Sequence, residues 1–400
     1  MASRRQFLQT AAAGIAGSRL SVFENALTPG TADERPAASK PTIIDTHAHW
    51  IGPSVVELLK KRTEPPRYVV NEKGELIPIN SGAGSRNGRE RPQSKEWFDI
   101  EARLRHLDES GVQRQVLSWV GGAYDNVLPP DVARPLWRAQ NNDLGDAVKK
   151  HPGRLYGLAS LPTANPQWAA EELKRAHEEL GLSGATLPLD AFVSLQAARS
   201  LAPIFAVAQK YRSHIFIHRG VAASNIPGSY AESGPTNPYF GVPPKNSDGS
   251  SGSLPGDNPL ARSTLITSTH LATGVITLAL TDFLDAYPDV SVQVAMIGGS
   301  IALVAEQIEF AEKAARAPST IGKLRRIYLD TGQFGRGSRN LALAARVFGP
   351  DRILFGSDYG AQASILPYIN SVQQAELTPA EKEAVFSANA SRIFEKGSGG

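Results

Sequence analysis

Thr42-Ile43-Ile44-Asp45-Thr46-His47-Ala48-His49 is a short apolar strand that ends in two histidines one residue apart. Side chains alternate across a β-strand, so His47 and His49 project to one side and can grip a single metal ion while Ala48 points away. Imidazole ligands suit zinc and its first-row neighbours. Two histidines can also merely cap a strand, so the pair needs partners from elsewhere in the chain before it reads as a metal site.

The rest of the chain tells what kind of scaffold carries this strand. From residue 42 onward, short β-branched runs alternate with longer amphipathic stretches, the signature of repeated βα units and a parallel sheet. Eight strands are predicted: Thr42 to Asp45, Gln113 to Trp119, Leu155 to Ser160, Gly184 to Leu187, His214 to His218, Val292 to Met296, Ile327 to Asp330 and Ile353 to Gly356. Helical patterns fall at Ile100 to Ser110, Val132 to Lys150, Pro166 to Leu180, Ile301 to Arg316 and Arg339 to Val347. Eight such units favour an α/β fold of the TIM-like (β/α)8 type over an open doubly wound sheet. Two segments interrupt the rhythm, 50–94 after strand one and 220–262 after strand five. Both follow strands, which puts them on the catalytic face as lids over a small-molecule pocket. Thr378-Pro379-Ala380-Glu381 opens a terminal helix with an N-cap and a proline in the first turn.

Composition narrows the chemistry. The 400 residues are 41% hydrophobic, enough for a large core, and a net charge of +3 with scattered basic residues gives no nucleic-acid stripe. There is no cysteine, which excludes disulfides, thiolate nucleophiles and cysteine-ligated metals, so any ion must take nitrogen and oxygen ligands. Ser3-Arg4-Arg5-Gln6-Phe7-Leu8, followed by a small, weakly apolar run to Gly17, resembles a twin-arginine export signal. Residues 1–39 are therefore read as signal and linker, and 40–396 as the barrel domain. The apolar run is too short for a permanent membrane anchor. A periplasmic or secreted location and contact with the twin-arginine export machinery are expected, and a homodimer is one assembly the sequence allows.

Strand five ends in Ile215-Phe216-Ile217-His218, and strand eight is followed by Gly356-Ser357-Asp358. Singly, His218 reads as a core histidine and Asp358 as a turn residue. Together with His47 and His49 they place four N/O ligands at the C-terminal ends of strands one, five and eight, which converge in a closed barrel.

Asp-Thr-His-Ala-His, Ile217-His218, Gly298-Gly299-Ser300, Phe355-Gly356-Ser357-Asp358 and Asn389-Ala390-Ser391-Arg392-Ile393-Phe394 together resemble the amidohydrolase superfamily, in particular its amidohydrolase 2 branch typified by aminocarboxymuconate-semialdehyde decarboxylase. The resemblance covers nearly everything from residue 42 to 396. It implies a TIM-like barrel with one divalent metal, zinc or manganese, held by His47, His49, His218 and Asp358, with Asp358 also able to handle a proton from metal-bound water. It further implies an enzyme acting on a small aromatic or unsaturated carboxylic acid, by decarboxylation first, by hydrolysis of a lactone, ester or amide as the alternative. The fold does not choose among these, and a barrel that kept its pocket but lost turnover with the histidine this branch carries after strand six is the third reading.

One position departs from that branch. Where its members carry a histidine before Gly-Gly, this chain has Met296, whose thioether exchanges no proton; Met296 then lines an apolar pocket. His270, placed by the pattern at the start of the helix after the second insertion, is the substitute proton acceptor, since a helix N-terminus favours neutral imidazole. Arg219 is the leading candidate to bind a substrate carboxylate, ahead of Arg91 and Lys95. Trp50 and Trp119, both just past strand ends, wall a flat substrate or anchor packing. Asp330 either orients a ligand histidine or touches substrate.

Overall fold

The computed structural model describes residues 42–79, 92–119, 128–223, 225–229 and 258–395. The twin-arginine stretch, Arg91 and most of the second insertion lie outside these residues.

Eight strands form one parallel sheet: β1 (Ile44–His49), β4 (Arg114–Ser118), β5 (Leu155–Ser160), β6 (Gly184–Pro188), β7 (His214–His218), β8 (Ser291–Val294), β9 (Tyr328–Asp330) and β10 (Ile353–Leu354), in that spatial order. This is the (β/α)8 barrel the strand count implied. The first and last strands close it through backbone bonds made past the end of β10: Thr46 N–H donates to Phe355 O at 2.9 Å, Asp358 N–H to His47 O at 2.7 Å and His49 N–H to Tyr359 O at 2.7 Å. Closure removes the exposed edges that an open sheet would present. It also fastens the backbone of Asp358 directly to that of His47.

Helices cover the outside. Ile100–Ser110 starts at the predicted residue, with Asp99 accepting from Ala102 N–H, and ends where Gly111 takes a left-handed φ of 73°. Thr378 and Glu381 form a reciprocal capping box at the start of the last helical stretch. The buried core is mainly Leu, Ile, Val, Ala and Phe from strands and the inner faces of helices, with Val116, Leu158, Ile215, Phe216, Val292 and Leu329 fully buried. Burial of this size follows from the helix–sheet layering and drives the fold.

The first insertion differs from the expected loop. It holds a helix, Pro53–Lys60, and an antiparallel hairpin, β2 (Arg67–Val70) with β3 (Leu76–Ile79). Its turn is legible in retrospect: Asn71 Oδ1 accepts from Lys73 N–H and Glu75 N–H, and Gly74 has φ 76°. The helix after the second insertion begins earlier than expected, at Pro259, and runs to Val275, capped by Asn258. His270 therefore lies in its last third, away from the helix N-terminus.

Candidate metal centre

β1 does not deliver its histidines by simple alternation. Its register against β4 shifts between Asp45 and Ala48, so two residues, Thr46 and His47, face a single step of the neighbouring strand. Such a bulge beside a site re-aims a side chain. Asp45, fully buried, secures it: Oδ1 accepts from His47 N–H (3.2 Å) and Ser357 N–H (3.0 Å), and Oδ2 from Ser357 Oγ (2.6 Å) and Gln115 Nε2 (2.7 Å). Gln115 in turn accepts from Arg103 Nη1 at 2.8 Å. Arg103 is itself wholly buried, and its other Nη donates to the carbonyls of His49 and Glu96. Burial brings its pKa down to about 10.

The four predicted ligands meet. His47, His49, His218 and Asp358 are all buried, and one ligand atom from each lies within 4.8 Å of all the others. The three imidazoles stand edge to face, with centroid separations of 5.1, 4.8 and 4.6 Å. Asp358 Oδ1 is 2.9 Å from His49 Nε2 and 3.2 Å from His47 Nε2. Its φ of 59° is left-handed, a conformation Asp tolerates better than most residues, and the closing bond to His47 O holds it there.

The outer partners fix which nitrogen faces inward. His218 Nδ1–H donates to Arg219 O at 2.7 Å, and His47 Nδ1–H donates to Asp330 Oδ1 at 2.9 Å. This turns Nε2 of both rings toward the centre, where His218 Nε2 has no hydrogen-bond partner and His47 Nε2 faces Asp358 Oδ1 at 3.2 Å. Orienting a ligand histidine through a carboxylate is what metal sites do, so Asp330 takes the orienting role of its two expected ones. Asp330 is gripped in turn by Gly332 N–H at 2.8 Å, Met296 N–H at 3.1 Å and Gln293 Nε2 at 2.6 Å.

Electrostatics fit a cation. Burial alone disfavours charge on His47, but Asp330 and Asp358 outweigh it and raise its pKa to about 10. Burial and the neighbouring imidazoles push His218 well down, and His49 is lowered by burial. Asp330 and Asp358 stay ionised despite burial because His47 bonds to both. Two buried carboxylates among three imidazoles want a compact double positive charge, and the inward Nε2 of His218 lacks a partner. The donor set of three nitrogens and one oxygen suits one divalent ion of the zinc or manganese kind.

The other predicted residues separate. Trp50 is 3% exposed, and its indole N–H donates to Phe98 O at 3.2 Å; Trp119 packs in the apolar cluster with Val55, Leu136 and Trp137. Both are buried in apolar packing. Among the described residues an indole stacks on one of the four, Trp97, half-buried against His49 with centroids 5.9 Å apart at 13°. No motif marked it, because it lies in the short helical turn Lys95–Trp97 between the first insertion and the helix from Ile100, where no periodic signal points to the site. Met296 is buried in the core with φ 60°, and Ile297, Gly298 and Gly299 after it are also left-handed. Gly299 needs to be glycine, because a Cβ there would stand 2.0 Å from Ser268 O. Arg219, the residue after His218, is exposed, as is Lys95.

His270 is neutral for a different reason from the one expected: burial first, then the charge of Arg219, bring its pKa down to about 4. Burial does the same to His214 at the start of β7, also to about 4. Both titrate near 6.5 when unfolded, so the unfolded chain binds more protons between these values. Their contribution is complete above about pH 6.5 and is lost as pH falls toward 4, by about 1.4 kcal/mol per pH unit per histidine. Urea unfolding midpoints at pH 7 and pH 5 measure this, with a shallower fall in His270→Gln; identical pH slopes in the two proteins would refute it.

Comparison with known proteins agrees with this geometry. The family described as amidohydrolase matches residues 44–396. Gamma-resorcylate decarboxylase of Polaromonas sp. is 34% identical over 99 residues, 23% of this chain and 30% of that protein. The 2-amino-3-carboxymuconate-6-semialdehyde decarboxylase of Dictyostelium discoideum is 31% identical over 121 residues, 30% of this chain and 34% of that protein. The matched stretches thus span about a third of each relative's length. Among solved structures, a mutant 5-carboxyvanillate decarboxylase of Novosphingobium aromaticivorans, with bound manganese and 3-methoxy-4-hydroxy-5-nitrobenzoic acid, superposes with a TM-score of 0.63 at 17% identity, covering 89% of this chain and 97% of that one. At that identity the likeness shows the fold.

Proposed function

Because the chain belongs to the amidohydrolase family, matched from residue 44 to 396, we propose that it is a metal-dependent carboxy-lyase that removes carbon dioxide from a small aromatic or unsaturated carboxylic acid. The convergence of His47, His49, His218 and Asp358 carries this reading. The names of the relatives, decarboxylases of resorcylate and carboxymuconate semialdehyde, favour decarboxylation over hydrolysis.

A divalent ion held by these four side chains supplies Lewis-acid polarisation of the substrate's oxygens. The chain supplies the rest. Trp97, stacked on His49, offers a flat wall for a planar acid, and Arg219 offers a guanidinium for its carboxylate. The C–C bond to the carboxylate breaks, carbon dioxide leaves, and the electron pair left on carbon takes a proton. That proton is the substrate's own acidic one: His270, neutral at pH 7, takes it up and passes it on to Asp358, which is ionised at rest and hands it to the carbon, so both residues end as they began. His270→Ala is accordingly expected to lower kcat by about 10²-fold; unchanged turnover at saturating substrate removes it from the reaction.

The deciding experiment strips the protein with chelator, reloads it with zinc or manganese, and measures carbon dioxide release from a panel of hydroxybenzoic and unsaturated acids. Metal-dependent release supports the reading. Acid release from lactones or amides in its place, or ligand-induced thermal shifts with no product, overturns it.

We further propose export. Arg4-Arg5 before Phe7-Leu8 supports the twin-arginine route and a periplasmic or secreted location. Among the described residues no helix is long and apolar enough to cross a membrane. Export of the full chain in bacteria, compared with an Arg4→Lys, Arg5→Lys variant, tests the proposal: equal export of the two would sink it.

A further inference from the structure

We propose that Gln293 and His214 are positioning residues of the metal centre, parts of a buried hydrogen-bonded line of fixed polarity that runs from Ser291 to His47 and dictates which nitrogen of His47 faces the ion. The line has four links. Ser291 Oγ lies 3.0 Å from His214 Nδ1, and His214 Nε2 lies 3.0 Å from Gln293 Oε1. Gln293 Nε2 lies 2.6 Å from Asp330 Oδ2, and Asp330 Oδ1 lies 2.9 Å from His47 Nδ1. His214 is 2% exposed, and Gln293, Asp330 and His47 are wholly buried, so water does not compete for these groups.

The chemistry of each group permits one direction only. Ionised Asp330 accepts and cannot donate, so Gln293 must turn its NH2 toward it. The second amide hydrogen has its own acceptor, Thr46 Oγ1 at 3.3 Å, whose hydroxyl is already committed as donor to Phe355 O at 2.9 Å. The amide carbonyl is thereby aimed at His214. A carbonyl only accepts, so His214 carries its hydrogen on Nε2 and leaves Nδ1 bare for the Ser291 hydroxyl. Reversing the amide would set its carbonyl against the Asp330 carboxylate and strand buried donors, at about 1–3 kcal/mol for each unsatisfied group.

The consequence reaches the ion. Asp330, fixed as an acceptor, obliges His47 to donate from Nδ1, and the lone pair of Nε2 is left for the metal. His214 opens β7 and His218 closes it, so the line begins at the strand's far end and enters the site from behind. None of its members except His47 is placed to touch ion or substrate. Their effect is on the readiness of one ligand.

This inference rests on the metal-centre reading above, and two measurements keep the two apart. In zinc-loaded wild-type protein, imidazole nitrogen chemical shifts should show His214 protonated on Nε2 and bare on Nδ1, with His47 protonated on Nδ1. Competition with a chromophoric chelator should show zinc affinity about 10–100-fold weaker in Gln293→Met, and a smaller loss in His214→Phe, which frees the amide to turn. Double substitution of Gln293→Met with Asp330→Asn should cost little more than Asp330→Asn alone, as expected for residues acting through one another. A proton on Nδ1 of His214, or a folded Gln293→Met protein whose zinc affinity stays within about twofold of wild type, where a lost outer partner predicts tenfold or more, overturns the proposal. Should Gln293→Met fail to fold, the nitrogen pattern of the wild-type protein still decides. Wild-type protein that takes up no ion would instead refute the metal-centre reading, while the His214 pattern, read without metal, would still settle the polarity of the line.

Discussion

Asp358→Ala protein is expected to lose both its ion and its turnover. Asp358 contributes the one oxygen among the four ligand groups, and its Oδ1 sits 2.9 Å from His49 Nε2 and 3.2 Å from His47 Nε2. Removing it leaves three imidazoles with no carboxylate between them, so like charges would meet whenever two of them protonate. The loss of metal affinity should exceed the about 10–100-fold that follows removal of an outer partner. Turnover should fall further, by the about 10²–10⁴-fold that a positioned acid or base supplies. Metal analysis after dialysis, beside carbon dioxide release from the best substrate, checks both; a stoichiometric ion in Asp358→Ala would mean that the centre lies elsewhere.

Gly332→Ala is the second large effect, and it comes from a residue that carries no chemistry. Its backbone is ordinary, with φ −61° and ψ 154°, so glycine is not required there for conformational freedom. Space is the constraint. A Cβ at 332 would stand 2.3 Å from His47 Nδ1 and 2.9 Å from Asp330 Oδ1. Neither neighbour can yield cheaply, because Asp330 is tied by Gln293, Met296 and Gly332 itself, and His47 by Asp330. The ring must swing off its carboxylate, and overpacking of this kind costs about 1–3 kcal/mol. Zinc affinity should fall by about 10–100-fold with the lost orientation. Gly322→Ala serves as control, since a Cβ there meets nothing within 4 Å. If the two variants unfold at the same denaturant concentration and bind zinc alike, the cradle around His47 is looser than described.

Much of the barrel could be read from the chain because its signals are local. Apolar runs such as Ile215-Phe216-Ile217 and Val292, Val294 flanked by amphipathic stretches need no long-range information to declare a strand or a helix. The hairpin of Arg67–Val70 and Leu76–Ile79 has no clear pattern in the chain because its strands are four residues each, mostly half-buried, and joined by the charged turn Asn71-Glu72-Lys73-Gly74-Glu75. His270 was misplaced along its helix because Asn258-Pro259, a good cap followed by proline, lies at the end of a Gly- and Ser-rich stretch that reads as loop. Its neutrality was foreseen and its cause was not: burial and Arg219 act where the helix dipole was expected to.

The sequence by itself determined the candidate ligand types, their places at strand ends and the class of barrel that brings strand ends together, since apolar runs alternating with amphipathic stretches declare repeated βα units, while the aim of His47 past the β1 bulge came only with strand pairing. Only the tertiary structure decided which groups surround those ligands: Trp97 against His49, Asp45 and Arg103 behind the bulge, Gly332 beneath His47, and Gln293 with His214 behind Asp330. These partners come from segments tens to hundreds of residues apart, and a buried hydrogen bond or a missing methyl group leaves no periodic trace in the chain. Their selection depends on which surfaces meet when the barrel closes, and that is a property of packing.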